Sequence, residues 1–150
     1  MNRDEQFMAR AIILARRAAA LGEVPVGALI VRQDKVMAEA HNQREMTGDA
    51  TAHAEMLAIR QACALLGGWR LSDATIYVTL EPCPMCAGAM IQARIKRLVY
   101  GATDPKAGSA GSLYDLVSDQ RFNHRLEVTA GVLEAECAAL LQDFFRQRRD

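Results

Sequence analysis

The chain has 150 residues, 51% of them hydrophobic and 24% charged, and its eighteen basic side chains are cancelled by eighteen acidic ones. That is the composition of one globular domain, long enough to bury ~70% of its unfolded surface without disulfide support. Zero net charge removes any global electrostatic case for a nucleic-acid partner, so such binding would need a local patch. Met1-Asn2-Arg3-Asp4-Glu5-Gln6 is too charged to open a signal peptide, and the apolar run from Ala11 to Ala15 is stopped by Arg16-Arg17, far short of a membrane span.

Residues 4 to 21 predict an amphipathic helix, with Phe7, Ala11, Leu14, Ala18 and Leu21 on one face and Gly22 as its stop. Val24 to Val31 is a continuous apolar run, consistent with a strand buried on both faces. Gln33-Asp34-Lys35 turns the chain into Val36 to Asn42, which alternates as the edge strand of a hairpin. Asn42 itself reads as a turn residue, and Asn42 to Thr51 as a polar loop. A second helix is expected from Thr51 or Ala52 to Gly67-Gly68, with His53 and Glu55 in its first turn.

Ala74 to Leu80 is a β-branched and aromatic strand broken by Glu81-Pro82, and Pro84 suits the first turn of a third helix. Met85 to Ile91 is apolar all round, which predicts burial on every side by the domain or by a partner. Arg97 to Ala102 is the next strand, so strand, helix and strand form a parallel crossover beside the antiparallel hairpin. Leu126 to Val132 adds a further strand, and Leu133 to Arg149 closes the chain as a helix with Leu133, Cys137, Leu140, Leu141 and Phe144 inward. The result is an α/β chain: a mixed sheet covered by helices on both faces. Thr103 to Arg125 has only a helical turn at Leu113 to Val117, and a connection this long points to a substrate-facing segment.

Two stretches carry chemistry: Thr51-Ala52-His53-Ala54-Glu55 and, thirty residues on, Glu81-Pro82-Cys83-Pro84-Met85-Cys86. CxxC alone fits a redox pair or half a zinc ribbon, and His-x-Glu alone means little. One His and two Cys together are a donor set that zinc accepts. No fourth ligand is evident: Cys63 is ten residues past His53 in the same helix, ~15 Å along its axis, and Cys137, His41 and His124 have no paired-ligand spacing. Three ligands and an open position describe a catalytic zinc. Cys83 and Cys86 would sit at a helix N-terminus, where the dipole favours thiolate. Such a site needs reduced thiols, so a cytoplasmic location is expected, with Cys63 and Cys137 as small buried hydrophobes.

With Pro82 before the first Cys, these residues match the His-x-Glu…Pro-Cys-x-x-Cys signature of zinc-dependent nucleobase deaminases. The whole chain resembles the bacterial tRNA-specific adenosine deaminases of the cytidine-deaminase-like superfamily. The resemblance is carried by Val24-Pro25-Val26-Gly27-Ala28, Thr51 to Glu55, Val78 to Met90, Gly101 to Leu113 and Asn123-His124-Arg125. It implies a three-layer α/β/α sandwich with a five-stranded mixed sheet, a homodimer, one Zn2+ per chain, and conversion of adenosine to inosine at the wobble position of a tRNA anticodon stem-loop. Carried over, His53, Cys83 and Cys86 resemble the metal ligands and Glu55 the proton shuttle. Asn42 becomes similar to the residue that contacts the flipped nucleoside, and Asp104, Lys106 and Asn123 resemble substrate-loop positions.

Two thiolates would cancel the ion's charge and acidify its water less than histidines do, so a base beside the metal is expected, and Glu55 is the candidate. The basic groups available to RNA are Arg94, Lys96, Arg97, Lys106, Arg121, Arg125 and the terminal arginines. The chain ends at Arg146-Gln147-Arg148-Arg149-Asp150, where some family members have longer basic tails, so weaker RNA affinity is expected. Two rivals stand beside this reading: a deaminase of free guanine, cytosine or cytidine, and a silent RNA-binding scaffold. The retained Glu55 speaks against the scaffold; the long segment and Phe144-Phe145-Arg146 speak against the free-base enzyme.

Overall fold

The computed structural model describes residues 1–149; Asp150 and the side chain of Arg149 lie outside it, and with them part of the expected basic terminus. Its elements are α1 (Arg3–Ala20), β1 (Gly27–Arg32), β2 (Lys35–His41), α2 (Arg44–Thr47), α3 (Ala54–Leu66), β3 (Ala74–Leu80), α4 (Pro84–Gln92), β4 (Arg97–Ala102), β5 (Glu127–Thr129) and α5 (Glu134–Arg149). The strands form one sheet in the order β2-β1-β3-β4-β5. β1 is antiparallel to β2 and β3, whereas β3, β4 and β5 run parallel. No helix among the described residues is long and apolar enough to cross a membrane.

Alternation along the strands divides the core. Ala28, Ile30, Ile76, Val78, Leu98 and Tyr100 face α3 and α4, while Leu29, Val31, Tyr77 and Val99 face α1 and α5. The expected sandwich of helix, five-stranded mixed sheet and helix is therefore present. Fully buried side chains such as Ile76, Met90 and Leu98 each contribute ~1.5–3 kcal/mol of burial energy.

α1 starts at a capping box in which the Asn2 side chain accepts from the Glu5 N–H and the Glu5 carboxylate accepts from the Asn2 N–H. Its buried face is Met8, Ala11, Ile12, Leu14, Ala15 and Ala18, so Leu21, expected inside, is instead 54% exposed. The stripe is drawn toward small residues because β1 presses on it: a Cβ on Gly27 would stand 2.0 Å from the Ala11 carbonyl oxygen. Only glycine allows that approach.

Four expectations need correction. α3 begins at Ala54, later than Thr51 or Ala52, because His53 is its extended N-cap at φ −73°, ψ 151°. The polar stretch after Asn42 contains α2, a single turn with no buried residue of its own. No helix forms over Leu113–Val117; Ala110 bridges Asp115 instead, and Leu113 and Tyr114 are exposed. Cys63 is only half-buried, whereas Cys137 is buried as expected. The remaining elements lie close to where periodicity placed them, β1 beginning only at Gly27 rather than Val24 and β5 being shorter than the run from Leu126 to Val132.

Candidate active site

The cluster forms where two helix N-termini meet. Residues two apart do not share a helix face, and the structure resolves that difficulty through the late start of α3. His53, still extended, turns its imidazole toward α4, and Glu55, in the first helical turn, points inward and is 4% exposed. Cys83 is the extended N-cap of α4, Pro84 opens the helix, and Cys86 returns one turn later. His53 Nδ1 stands 3.6 Å from Cys83 Sγ and 3.5 Å from Cys86 Sγ. The three donor atoms lie within 4.8 Å of one another.

These distances test the fit of a metal. Nitrogen and sulfur held tetrahedrally on zinc, at ordinary bond lengths, stand about 3.6 Å apart. Protonation points the same way. The Cys86 thiol hydrogen-bonds Cys83, and with His53 beside it the Cys83 thiol is lowered to about 4. Cys86, holding the shared proton against Cys83 and buried beside Glu55, is pushed well up. His53 is raised by its bond to Cys83. Burial drives Glu55 up to about 7, assisted by the negative Cys83. Two thiolates and a carboxylate beside a neutral imidazole, the forms in which these groups bind a metal, would share one buried site only at high cost without a cation. The triad is consistent with a bound metal.

A cleft of ≈ 200 Å³ opens on this cluster, lined by Val24, Val26, Asn42, Arg44, Ala54, Leu80, Asp104 and Ala107 as well as His53, Glu55, Glu81 and Cys83. That is smaller than a drug-sized pocket and suits one planar group. Asn42 is buried in its wall, its amide donating to the Val24 carbonyl and its oxygen accepting from the Arg44 N–H, both at 3.4 Å. Asp104 also lines the cleft, but its carboxylate accepts from the N–H groups of Lys106 and Ala107 in its own loop. Lys106 and Asn123 are exposed and do not line it. Arg97, counted among the basic groups free for RNA, is instead bound through both terminal nitrogens to Asp4, on the other helical layer.

Three participants, Glu23, Arg44 and Glu81, were not foreseen. Glu23, buried, accepts from the N–H groups of Glu45 and Met46 and so holds α2, which carries Arg44 into the cleft. Glu81 does the same for the segment after Asp104. An acidic residue closing an otherwise apolar strand was the signal for Glu81; Glu23 had none in the sequence.

A mixed sheet with a His-Cys-Cys cluster at two helix N-termini defines a deaminase, and a model of the MafB19-like deaminase family matches residues 1–149. The tRNA-specific adenosine deaminase of Bacillus subtilis (strain 168) is 52% identical over 149 residues, spanning 99% of this chain and 92% of that protein. A solved deaminase from a study of A-to-I editing at the wobble position of transfer RNA superposes with a TM-score of 0.87 at 46% identity, covering 91% of this chain and 99% of that one. Guanine deaminase from Bacillus subtilis is more distant, with a TM-score of 0.67 at 36% identity over 100% of this chain and 96% of that one. The chain belongs to the tRNA-specific adenosine deaminase family.

Proposed function

We propose that this chain is a single zinc-dependent deaminase domain that converts adenosine to inosine at the wobble position of a tRNA anticodon loop. The observation that carries the reading is the convergence of His53, Cys83, Cys86 and Glu55 at the floor of a cleft sized for one base, in a chain 52% identical to a tRNA-specific adenosine deaminase. His53 Nδ1 and the two sulfurs would hold one zinc ion. When bound, zinc supplies the Lewis acidity that makes a water molecule nucleophilic near neutral pH.

Glu55 performs the proton transfers. It takes the proton the water loses as the oxygen bonds to C6 of adenine, and passes it to N1. It then moves the second proton from that oxygen to the exocyclic amine, so the C6–N bond breaks and ammonia leaves. A carboxyl near neutrality in its protonation suits both directions of transfer. Asn42 holds the base in the wall of the cleft, and Asp104, Lys106 and Asn123 serve the nucleotides around it. An extruded loop base enters at less cost than a paired one.

The enzyme acts as a homodimer in the cytoplasm. Support for the dimer is an apolar groove of ≈ 550 Å³ between α3 and α4, lined by Ile59, Cys63, Trp69, Ala89, Gln92 and Ala93. Support for the compartment is that all four cysteines are free. Product analysis after incubation with an anticodon stem-loop, free adenosine, guanine and cytosine tests the function; inosine formed preferentially in the stem-loop is expected. Equal or faster turnover of free guanine or cytosine would replace it with the free-base reading. Light scattering of active protein at micromolar concentration should give twice the chain mass, and a monomer would contradict the dimer.

A further inference from the structure

Glu81 is 2% exposed, and no basic side chain pairs with it among the described residues. Its two oxygens nevertheless accept four hydrogen bonds. Oε1 takes the Asp104 N–H at 3.0 Å and the Ser112 hydroxyl; Oε2 takes the Ala110 and Ser112 N–H groups, each at 3.0 Å. All four donors come from the irregular segment 104–112, whose first residue lines the cleft together with Ala107 and Glu81 itself.

The fit is close enough to dictate a residue in the segment. A Cβ on Gly108 would come within 2.4 Å of the Glu81 carboxyl carbon and Oε1, so the loop can lie over the carboxylate only with glycine there. Next along the chain, the Pro82 carbonyl accepts from the Ser109 N–H at 2.9 Å, and Cys83 follows immediately. Three consecutive residues thus hold the lip of the cleft, through Glu81 and Pro82, and a metal-ligand thiol, through Cys83.

We infer that Glu81 is the positioning residue that fixes the 104–112 lip relative to the metal-binding cluster, and so sets where a nucleotide rests against Asp104 and Ala107. The inference depends on the reading of this cleft as the substrate site. Its chemistry is specific to a carboxylate, because every partner is a donor. A glutamine would set its NH2 against backbone N–H groups on one side, releasing either the Asp104 N–H or those of Ala110 and Ser112, while the Ser112 hydroxyl could turn to accept.

The test uses the full-length zinc-loaded protein with Glu81→Gln, Ser112→Ala and Gly108→Ala, and reads hydrogen exchange, metal content and steady-state kinetics on an anticodon stem-loop. For Glu81→Gln, zinc should stay at one per chain while the amide of residue 104, or those of residues 110 and 112, exchange at least about tenfold faster and KM rises about tenfold, with kcat changed far less. Ser112→Ala should give a smaller change of the same kind, and Gly108→Ala, which forces a methyl onto the carboxylate, a comparable one. These two carry the test if Glu81→Gln does not fold.

Unchanged exchange at the three amides would overturn the inference. So would faster exchange with unaltered KM, which would make the glutamate a structural pin only, or a fall in kcat at constant KM, which would place it in the chemistry. A wild type inactive on the stem-loop would instead refute the proposed substrate, and the exchange result would still report whether Glu81 holds the lip.

Discussion

Two of the partly buried polar clusters among the described residues obey opposite rules. One, after the carboxyl end of β3, gathers His53, Glu55, Cys83 and Cys86. The other, under the start of α1, gathers Asp4, Tyr77, Arg97 and Thr129. The second is closed on itself: Arg97 grips both oxygens of Asp4 and donates to the Thr129 hydroxyl, while the Tyr77 hydroxyl donates to Asp4 at 2.8 Å. Charge is balanced and each group has a partner, so the network staples α1 to three strands. The first cluster has more acids than bases, an arrangement consistent with a bound cation. Its position beyond the end of a parallel strand is also where open α/β sheets bind ligands. A polar cluster that balances internally is architecture; one that leaves room for a cation is a candidate site.

The largest test of that contrast is removal of the guest. Cys83→Ser/Cys86→Ser should hold no zinc and have no activity, while wild type should show one zinc per chain, lost with activity in strong chelator. Metal analysis that finds active enzyme without zinc would collapse the contrast. Glu55→Gln comes next: zinc content and fold should be retained while kcat falls by ~10²–10⁴-fold. Near-normal turnover of the metal-replete variant would remove Glu55 from the chemistry.

Asp4→Asn should do the reverse. It should lower unfolding stability by on the order of 2 kcal/mol, the scale of charge-assisted bonds in a partly buried pair, yet leave kcat and zinc content unaltered below the melting range. The pH dependence has a definite sign. Hydrogen bonds from Arg97, opposed in part by burial, hold Asp4 below its unfolded value of 3.8. Its contribution is therefore complete above that value and is lost as pH falls through the depressed folded one. Wild type should lose stability below about pH 4 more steeply than Asp4→Asn, and parallel acid-unfolding curves would show that the pair contributes nothing. The smallest effect separates the two arginines. Arg44→Ala, in the cleft, should reduce the salt slope of stem-loop binding by ~0.7, whereas Arg97→Ala should leave it unchanged. A salt slope that responds to Arg97 alone would reverse the assignment.

The His53-Cys83-Cys86 cluster was legible because metal chemistry restricts donors to few residue types at few spacings, and the strands because β3 and β4 are buried on both faces and read as unbroken apolar runs. What escaped depended on partners distant in sequence. α2 has no buried face and is held by Glu23, some twenty residues before it, so no local period could reveal it. The loop after Asp104 takes its shape from Glu81, which periodicity marks only as the end of a strand. Arg97 looked available because sequence does not show that Asp4, at the far end of the chain, reaches it.

The hairpin at the margin of the sheet has a further bearing on how copies of this protein meet. A sheet open on both sides invites additional strands, but neither margin here is a good template. β5 is three residues long, and β2 carries Lys35, Glu39 and His41, with Glu39 paired to Arg10 across the layer. The register between β1 and β2 also slips between Ile30 and Val31, which bends the outer strand. Chain-to-chain polymerisation through backbone pairing is thereby discouraged, and concentrated solutions should resist fibril growth while leaving the helical surfaces free to associate.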